Sequence, residues 1–329
     1  MKKFLNTQLM EKDENDGSGP RTARADVAIL MCTYNGAMYL REQLDSFESQ
    51  SLRNWTLFVS DDSSTDETRS ILADYQRRWG EQKLVMFEGP CQGFGKNFIS
   101  LLKRPEVQAR YYAFSDQDDV WFSDKLERSA RRLDVLPDNA PALYCSRTRL
   151  INAMGRAIGF SPLFARPPSF RNALVQSIAG ANTMLINNAA RNLMMTVPDD
   201  ATIVAHDWLA YIVVTGCGGQ ALYDGEPTLD YRQHGGNLIG ANVSFKERMM
   251  RFRKMLSGRF VEWNDMNLEI LNGMIELLAP EEQIVYQRFK MGRRLGFFGR
   301  IREINHSGVY RQTTYATITL YIAVCLNKL

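Results

Sequence analysis

The sequence predicts an α/β fold: a mostly parallel central sheet flanked by helices, followed by a C-terminal helical extension. Three observations lead there. Apolar, strand-like runs alternate with helical patterns four times in the first 136 residues, which is how parallel pairing through helical crossovers is written. Polar, chemistry-bearing residues stand at the C-terminal ends of three of those runs, the edge where open parallel sheets bind ligands. From Phe245 onward the pattern is helical.

Taken in order, residues 1–25 are polar and end near Gly17-Ser18-Gly19-Pro20, as in a loose leader. Val27 to Cys32 is continuously apolar, as in a strand covered on both faces. A turn at Thr33-Tyr34-Asn35-Gly36 leads to a helix with Leu40, Leu44 and Phe47 on one face. Leu57-Phe58-Val59 is the second strand, and it runs into Ser60-Asp61-Asp62-Ser63-Ser64-Thr65-Asp66. Ser64 and Glu67 have the spacing of a capping box for the next helix, which runs to about Trp79. Lys83–Phe87 is the third strand, and Gly93 to Leu102 the third helix. The fourth strand ends in the acidic stretch, and Asp124 opens a helix to about Leu136.

Further on, strands are expected over 141–151, 180–186 and 220–223. Helices are expected over 170–177, up to Met195, and from His206-Asp207 through Val214. Tyr231-Arg232-Gln233-His234-Gly235-Gly236-Asn237 reads as a polar loop. The extension reads as helices over 245–256, 260–278 and 281–291. The expected organisation is therefore a leader (1–25), a sheet domain (26–245) and the helical extension (246–329).

Composition narrows the function classes. With 45% apolar and 23% charged residues the chain is ordinary for a globular protein, and a net charge of +3 gives no reason to expect nucleic acid. The five cysteines are scattered and form no CxxC pair, which fits a reducing cytosol and excludes a disulfide framework. No uncharged stretch reaches the roughly 20 apolar residues that span a bilayer. The tail interleaves Lys290, Arg293, Arg294, Arg300 and Arg302 with Leu295, Phe297, Phe298 and Ile301, then turns apolar from Tyr315 to Leu326. That combination is expected to touch the inner face of the cytoplasmic membrane peripherally.

The stretch from Tyr111 to Trp121 carries the chemistry. Its apolar run feeds into Asp116, Asp118 and Asp119. Near a strand end, side chains two apart share a side, so Asp116 and Asp118 are expected to face one way. Like charges that close raise each other's pKa unless a cation separates them. Hard oxygen ligands suit Mg²⁺ or Mn²⁺, and Mg²⁺ prefers one or two carboxylates plus substrate phosphates. The expected ligand is therefore a metal–diphosphate. A nicotinamide enzyme would want GxGxxG after the first strand, where this chain has Cys32-Thr33-Tyr34-Asn35-Gly36. A nucleotidyltransferase would want a glycine- and lysine-rich phosphate loop there. A non-catalytic nucleotide-sugar-binding module would have no need of His206-Asp207.

These residues resemble glycosyltransferase family 2. The resemblance rests on Cys32-Thr33-Tyr34-Asn35, on Ser60 to Asp66, and on Phe114-Ser115-Asp116-Gln117-Asp118-Asp119-Val120-Trp121. Within the family the chain is similar to bacterial rhamnosyltransferases, through Gly93-Phe94-Gly95-Lys96-Asn97-Phe98, His206-Asp207-Trp208 and Tyr231 to Asn237. The resemblance covers about residues 26–245 and implies a GT-A fold, a Rossmann-like arrangement. It implies an inverting, metal-dependent transferase that moves a sugar, L-rhamnose from dTDP-L-rhamnose, to a hydroxyl of a cell-surface glycan. The glycan would be of O-antigen, lipopolysaccharide or capsule type, and free or lipid-linked. A hexose from a UDP- or GDP-sugar, or a non-catalytic nucleotide-sugar-binding module, is the alternative.

Position by position, the resemblance implies that Thr33 and Asn35 line the nucleotide loop. Asp62, or Asp61 beside it, meets the base or ribose, and Asn97 lies in a donor-contacting motif. Asp116 and Asp118 form the D-x-D pair, with Asp118 the direct ligand of Mg²⁺ or Mn²⁺. Arg232 and His234 lie over the diphosphate. Asp207 matches the catalytic base; many relatives have Glu-Asp where this chain has His206-Asp207, so both remain candidates for the proton. Trp121, Phe122, Tyr211 and Trp208 are expected to build a platform for sugar and acceptor.

Overall fold

The computed structural model describes residues 25–234 and 258–329. Seven strands form the main sheet in the order β10-β6-β9-β4-β1-β2-β3. These are β1 (Ala25–Thr33), β2 (Trp55–Asp61), β3 (Leu84–Glu88), β4 (Ala109–Ser115), β6 (Ala142–Ser146), β9 (Leu185–Asn187) and β10 (Gln220–Asp224). Strands β1, β2, β3 and β4 are mutually parallel, and β9 runs antiparallel to both β4 and β6. The four alternations give four helices: α1 (Ala37–Glu48), α2 (Thr68–Trp79), α3 (Phe94–Lys103) and α4 (Lys125–Leu133).

Strand β1 shows why its sequence is apolar throughout. Ala28 and Leu30 enter one core with Phe98, Leu102, Tyr112 and Phe114. Val27, Ile29 and Met31 enter the other with Leu40, Leu44, Phe47 and Leu57. Alternate side chains point to opposite faces, and here both faces are covered, so no polar position is tolerated. Register then builds the rim: Thr33 pairs with Asp61, and Met31 with Ser115.

The structure differs from expectation in five places, four of them after residue 140. The expected strand 141–151 is two strands, β6 and β7 (Arg149–Asn152), which belong to different sheets. The chain changes sheet at Arg147-Thr148, where the Arg147 amide bonds the Asp224 carbonyl and the Thr148 amide the Ser161 hydroxyl. Second, Tyr231–Gln233 is not loop but the end of β11 (Leu229–Gln233). It lies parallel to β7 and antiparallel to the short β5 (Val120–Trp121), and β8 (Ala157–Phe160) completes this second, four-stranded sheet. Buried Leu229 and the bidentate Arg149–Asp230 pair (2.7 Å at Nη2) anchor the strand, a pairing of distant segments that local polarity does not reveal.

Third, the helix expected over 170–177 is a single turn, α5 (Phe170–Ala173), capped by Ser169. Fourth, the strand expected over 180–186 begins as a 3₁₀ turn at Ala181–Thr183 and becomes β9 only at Leu185. The Asn187 side chain then accepts from the Ala190 amide (3.0 Å) and starts α6 (Asn188–Met195) without a loop. Fifth, Ser64 is not a cap. Its hydroxyl donates to Asp61, and the Asp66 carboxylate holds the Thr68 amide instead (3.0 Å).

The helix α7 (His206–Gly216) is followed by four described C-terminal helices: α8 (Arg259–Gly273), α9 (Pro280–Arg294), α10 (Phe297–Ser307) and α11 (Thr314–Cys325). Leu271, Tyr286, Phe289 and Leu320 lie in the same core cluster as Tyr112, Trp208 and Tyr211. The helix expected over 245–256, the leader residues 1–24, and Gly235-Gly236-Asn237 lie outside the described residues.

Candidate active site at the sheet edge

The ends of β1 and β2 form the first wall. Thr33 donates to Asp61 Oδ2 (2.7 Å), as does the Ser64 hydroxyl (2.6 Å), while the Ser64 amide (2.9 Å) and Arg69 Nε (2.7 Å) donate to Oδ1. Burial alone would raise the Asp61 pKa, but hydrogen bonds from Ser64, Arg69 and Thr33 bring it below the usual carboxylate value. Asp61 is 5% exposed and its oxygens are committed inside the protein. Of the two neighbouring aspartates, Asp62 keeps a partly exposed carboxylate, with Oδ1 on the Cys91 amide (3.0 Å). Gly89 packs directly on it: a Cβ there would fall 2.1 Å from Asp62 Oδ1 and 3.1 Å from Asn97 Nδ2.

Asn97 is buried and donates to the Ser60 carbonyl (3.2 Å), bracing the end of β2. Asn35 is exposed and has a left-handed φ of 47°, and its Oδ1 accepts from the Thr65 amide (2.8 Å). It thus ties the first loop to the second. Gln117 closes the third side, with Oε1 on the Tyr34 amide (2.9 Å) and Nε2 on the Tyr34 carbonyl (3.1 Å).

The acidic loop follows β4 and leads to β5. Asp116 is pushed up to about 7, first by burial and then by the charges of Asp118 and Asp207. Three carboxylates from two distant segments therefore sit within electrostatic reach of one another. Cys32, at the end of β1, is also raised well above its ordinary value by burial, with Asp62 and Asp116 adding to it. Asp62, Asp116, Asp118 and Asp207 thus contribute to one acidic field at this edge of the sheet.

Behind the loop, residues of the second sheet hold Asp118. Arg232 is 1% exposed; its Nε donates to the Asp118 carbonyl (3.0 Å) and its Nη2 to Glu42 (2.5 Å). The guanidinium carbon lies 4.5 Å from the Tyr39 ring centre. His234 Nε2 meets Asp118 Oδ2 at 2.7 Å, and its ring sits 5.0 Å from Tyr39.

Sequence reasoning did not identify Asp119, Asn182 or Glu42 as part of this arrangement. Asp119 is fully buried and takes Asn182 Nδ2 (2.6 Å) and the Arg232 amide (3.2 Å). Burial, then Asp116 and Asp118, raise its pKa well above the ordinary value. Nothing near Asn182 in the sequence points to its partner, Asp119, which lies 63 residues away. We expect Asn182→Ala to destabilise the protein by about 2 kcal/mol, because it strips a donor from a buried acid. A lower urea midpoint at unchanged slope would register it.

Trp121 is 2% exposed and packs edge-on to Phe47 (4.7 Å between centres), with Lys125 Nζ 4.6 Å from its ring centre. Tyr211 and Trp208 are likewise interior. Three of the four rings expected to form a sugar platform thus support the loop and α7 from within, while Phe122 is half-buried with the Arg149 guanidinium carbon 4.8 Å from its ring centre.

Asp207 lies in the first turn of α7 and is partly buried. Burial raises its pKa to about 6, against lowering hydrogen bonds from the Trp208 amide (2.7 Å) and the Ser177 hydroxyl (3.5 Å). His206 points the other way in character. It is 3% exposed, stacks on Phe98 (3.9 Å between centres) beside Phe94 and Phe114, and burial lowers its pKa to about 3. Of the two candidates for the proton, only Asp207 shares its field with the acidic loop.

Among the described residues, no three His, Cys, Asp or Glu side chains converge as a complete metal cage. A pair of aspartates in which the Asp118 charge raises Asp116 fits a divalent ion that takes its remaining ligands from a substrate.

Comparison with known proteins agrees with this geometry. The family model "Glycosyl transferase family 2" matches residues 28–182. The chain is 31% identical over 233 residues to the dTDP-rhamnosyl transferase RfbG of Shigella flexneri, covering 67% of this chain and 77% of that protein. It is 29% identical over 161 residues to the putative teichuronic acid biosynthesis glycosyltransferase TuaG of Bacillus subtilis, covering 49% and 62%. S. aureus TarS 1-349 in complex with UDP-GlcNAc superposes with a TM-score of 0.52 at 17% identity, over 87% of this chain and 93% of that one. GalNAc-T7 with UDP, GalNAc and Mn²⁺ gives 0.51 at 9% identity, over 93% and 58%. At such identities the two structures speak to the fold, which is of the GT-A type. Asp62, Asp116 and Asp118 lie inside the matched segment and Asp207 beyond it, and the match to RfbG spans 77% of that protein: this chain belongs to glycosyltransferase family 2.

Proposed function

We propose that the protein transfers a sugar with inversion from a nucleotide donor, L-rhamnose from dTDP-L-rhamnose, to a hydroxyl of a growing cell-surface glycan. The glycan is of O-antigen, lipopolysaccharide or capsule type. The observation that carries the reading is the convergence of Asp116 and Asp118 with Asp207, whose charges add to burial in pushing Asp116 up to about 7. A donor diphosphate needs charge neutralisation and an acceptor hydroxyl needs a base, and one acidic rim offers residues for both. Similarity to a dTDP-rhamnosyl transferase supports the sugar and the nucleotide.

In this reading Asp118, with Asp116, holds Mg²⁺ or Mn²⁺, which when bound supplies electrostatic stabilisation of the departing diphosphate. Mn²⁺ in a GalNAc-T7 structure of the same fold supports that choice. Asp62 faces the base or ribose, and Thr33, Asn35, Asp61 and Asn97 shape the loops around it. Arg232 and His234 fix Asp118 and lie over the diphosphate. Asp207 takes the proton from the acceptor hydroxyl. The protein works on the cytoplasmic side, in peripheral contact with the inner membrane face; no described helix is long and apolar enough to cross a membrane.

A thermal-shift panel of nucleotide sugars with Mn²⁺ or Mg²⁺ tests the donor. Stabilisation by dTDP-sugars and none by UDP- or GDP-sugars is expected; the reverse pattern would assign another hexose. Binding without turnover on any acceptor would leave a nucleotide-sugar-binding module. Arg232→Ala is expected to weaken nucleoside diphosphate binding about tenfold or more while leaving nucleoside binding near wild type, as calorimetry with both ligands would show.

A further inference from the structure

Helix α11 is apolar on two sides. Leu320, Ala323 and Val324 face the core, as expected of a packed helix. The opposite side is also apolar and is exposed: Tyr315 63%, Ile318 56%, Ile322 40% and Leu326 54%. Their spacing puts them on one stripe. Helix α10 packs against α11, and Arg300, in its first turn, donates from Nη1 to the Val324 carbonyl (3.1 Å). That contact places the start of α10 beside the end of α11. There Phe297 (49% exposed) and Phe298 (84%) extend the apolar surface.

The charge around this surface is one-sided. Residues 283–329 contain eight lysines and arginines and a single acid, Glu303. Glu303 is 4% exposed and occupied by Arg288 and Arg302, so it offers no negative charge to a partner. Arg300 and Arg293 are turned inward, whereas Arg294 is exposed and Arg302 is 68% exposed. Arg302 lies one turn after Phe298, on the same side of α10.

We propose that the α10–α11 hairpin is a docking surface for an anionic lipid membrane, with Phe297, Phe298 and the Ile318–Ile322 stripe entering the interface and Arg294, Arg302 and Lys328 meeting the headgroups. Charge decides the occupant. A second copy would bring two basic surfaces together, whereas anionic lipids complement them and their interface accepts aromatic and aliphatic side chains. The proposal deepens the glycosyl-transfer reading by locating where a lipid-linked acceptor is met, but vesicle binding is measured without substrate and stands or falls separately.

The test is sedimentation of the full chain with vesicles of phosphatidylcholine alone or mixed with phosphatidylglycerol. Binding to the mixed vesicles, weakened by salt, is expected. Arg294→Gln with Arg302→Gln should lower partitioning roughly 30-fold, since each basic residue near such a surface contributes about fivefold. Ile318→Ser with Ile322→Ser should lower it further, while the donor-induced thermal shift of both variants stays at wild-type size. Equal binding to neutral vesicles, no binding to mixed ones, or binding indifferent to both pairs of substitutions would overturn the proposal. So would a dimer by light scattering that Ile318→Ser with Ile322→Ser dissolves, since a second copy would then cover the surface.

Discussion

Asp118→Ala is expected to abolish transfer and with it metal-dependent donor binding. Asp118 is held on two sides: Arg232 anchors its carbonyl and His234 meets its carboxylate. Removing it leaves Asp116, which burial already drives toward the neutral acid, as the sole carboxylate of the pair. A neutral acid is a poor ligand for a hard cation. Calorimetry should show donor affinity of wild-type protein rising with Mn²⁺ and that of the variant indifferent to it. Full activity of wild-type protein in excess chelator would refute the metal role.

Asp207→Asn should spare the donor and remove the chemistry. The change keeps size and hydrogen-bonding capacity but takes away the base, for which a kcat loss of about 10²–10⁴ is expected. The pH profile is the sharper measurement. A base works when ionised, and burial raises the Asp207 pKa to about 6. Wild-type activity should therefore hold above that value and fall as pH drops through about 6, and Asp207→Asn should lose this acid limb. A collapse of donor affinity in the variant would make Asp207 a structural residue of α7. His206→Gln should leave the limb in place, because burial holds the imidazole neutral throughout this range.

Much of this was legible in the sequence because the first half is built from local signals. Val27–Cys32 must be apolar on every position when two cores meet it, and the turn residues follow it directly. The acidic stretch announced itself because carboxylates at that density raise one another's pKa unless something positive separates them. What stayed hidden was long-range. Arg232 looks like part of a polar loop until β11 is paired with β7, and its partner Glu42 lies on α1 with nothing local to connect them. Asn182 has meaning only beside buried Asp119. Trp121 and Trp208 read as ligand platforms because aromatic residues near acidic motifs look the same whether they face a sugar or a core. The split of 141–151 into β6 and β7 was invisible because both pieces are strand-like and only the sheet they join differs.

One feature of the packing bears on protein engineering. The Ala279 amide bonds the Gly216 carbonyl at 2.9 Å, and Trp208 stacks on Phe260, so the helix bearing Asp207 is buttressed by segments far downstream. A chimera that exchanges only the portion before residue 258 with a relative would seat that helix against foreign support. Swapping acceptor preference between family members should therefore succeed when the trailing helices travel with it, and cost refolding yield when they are left behind.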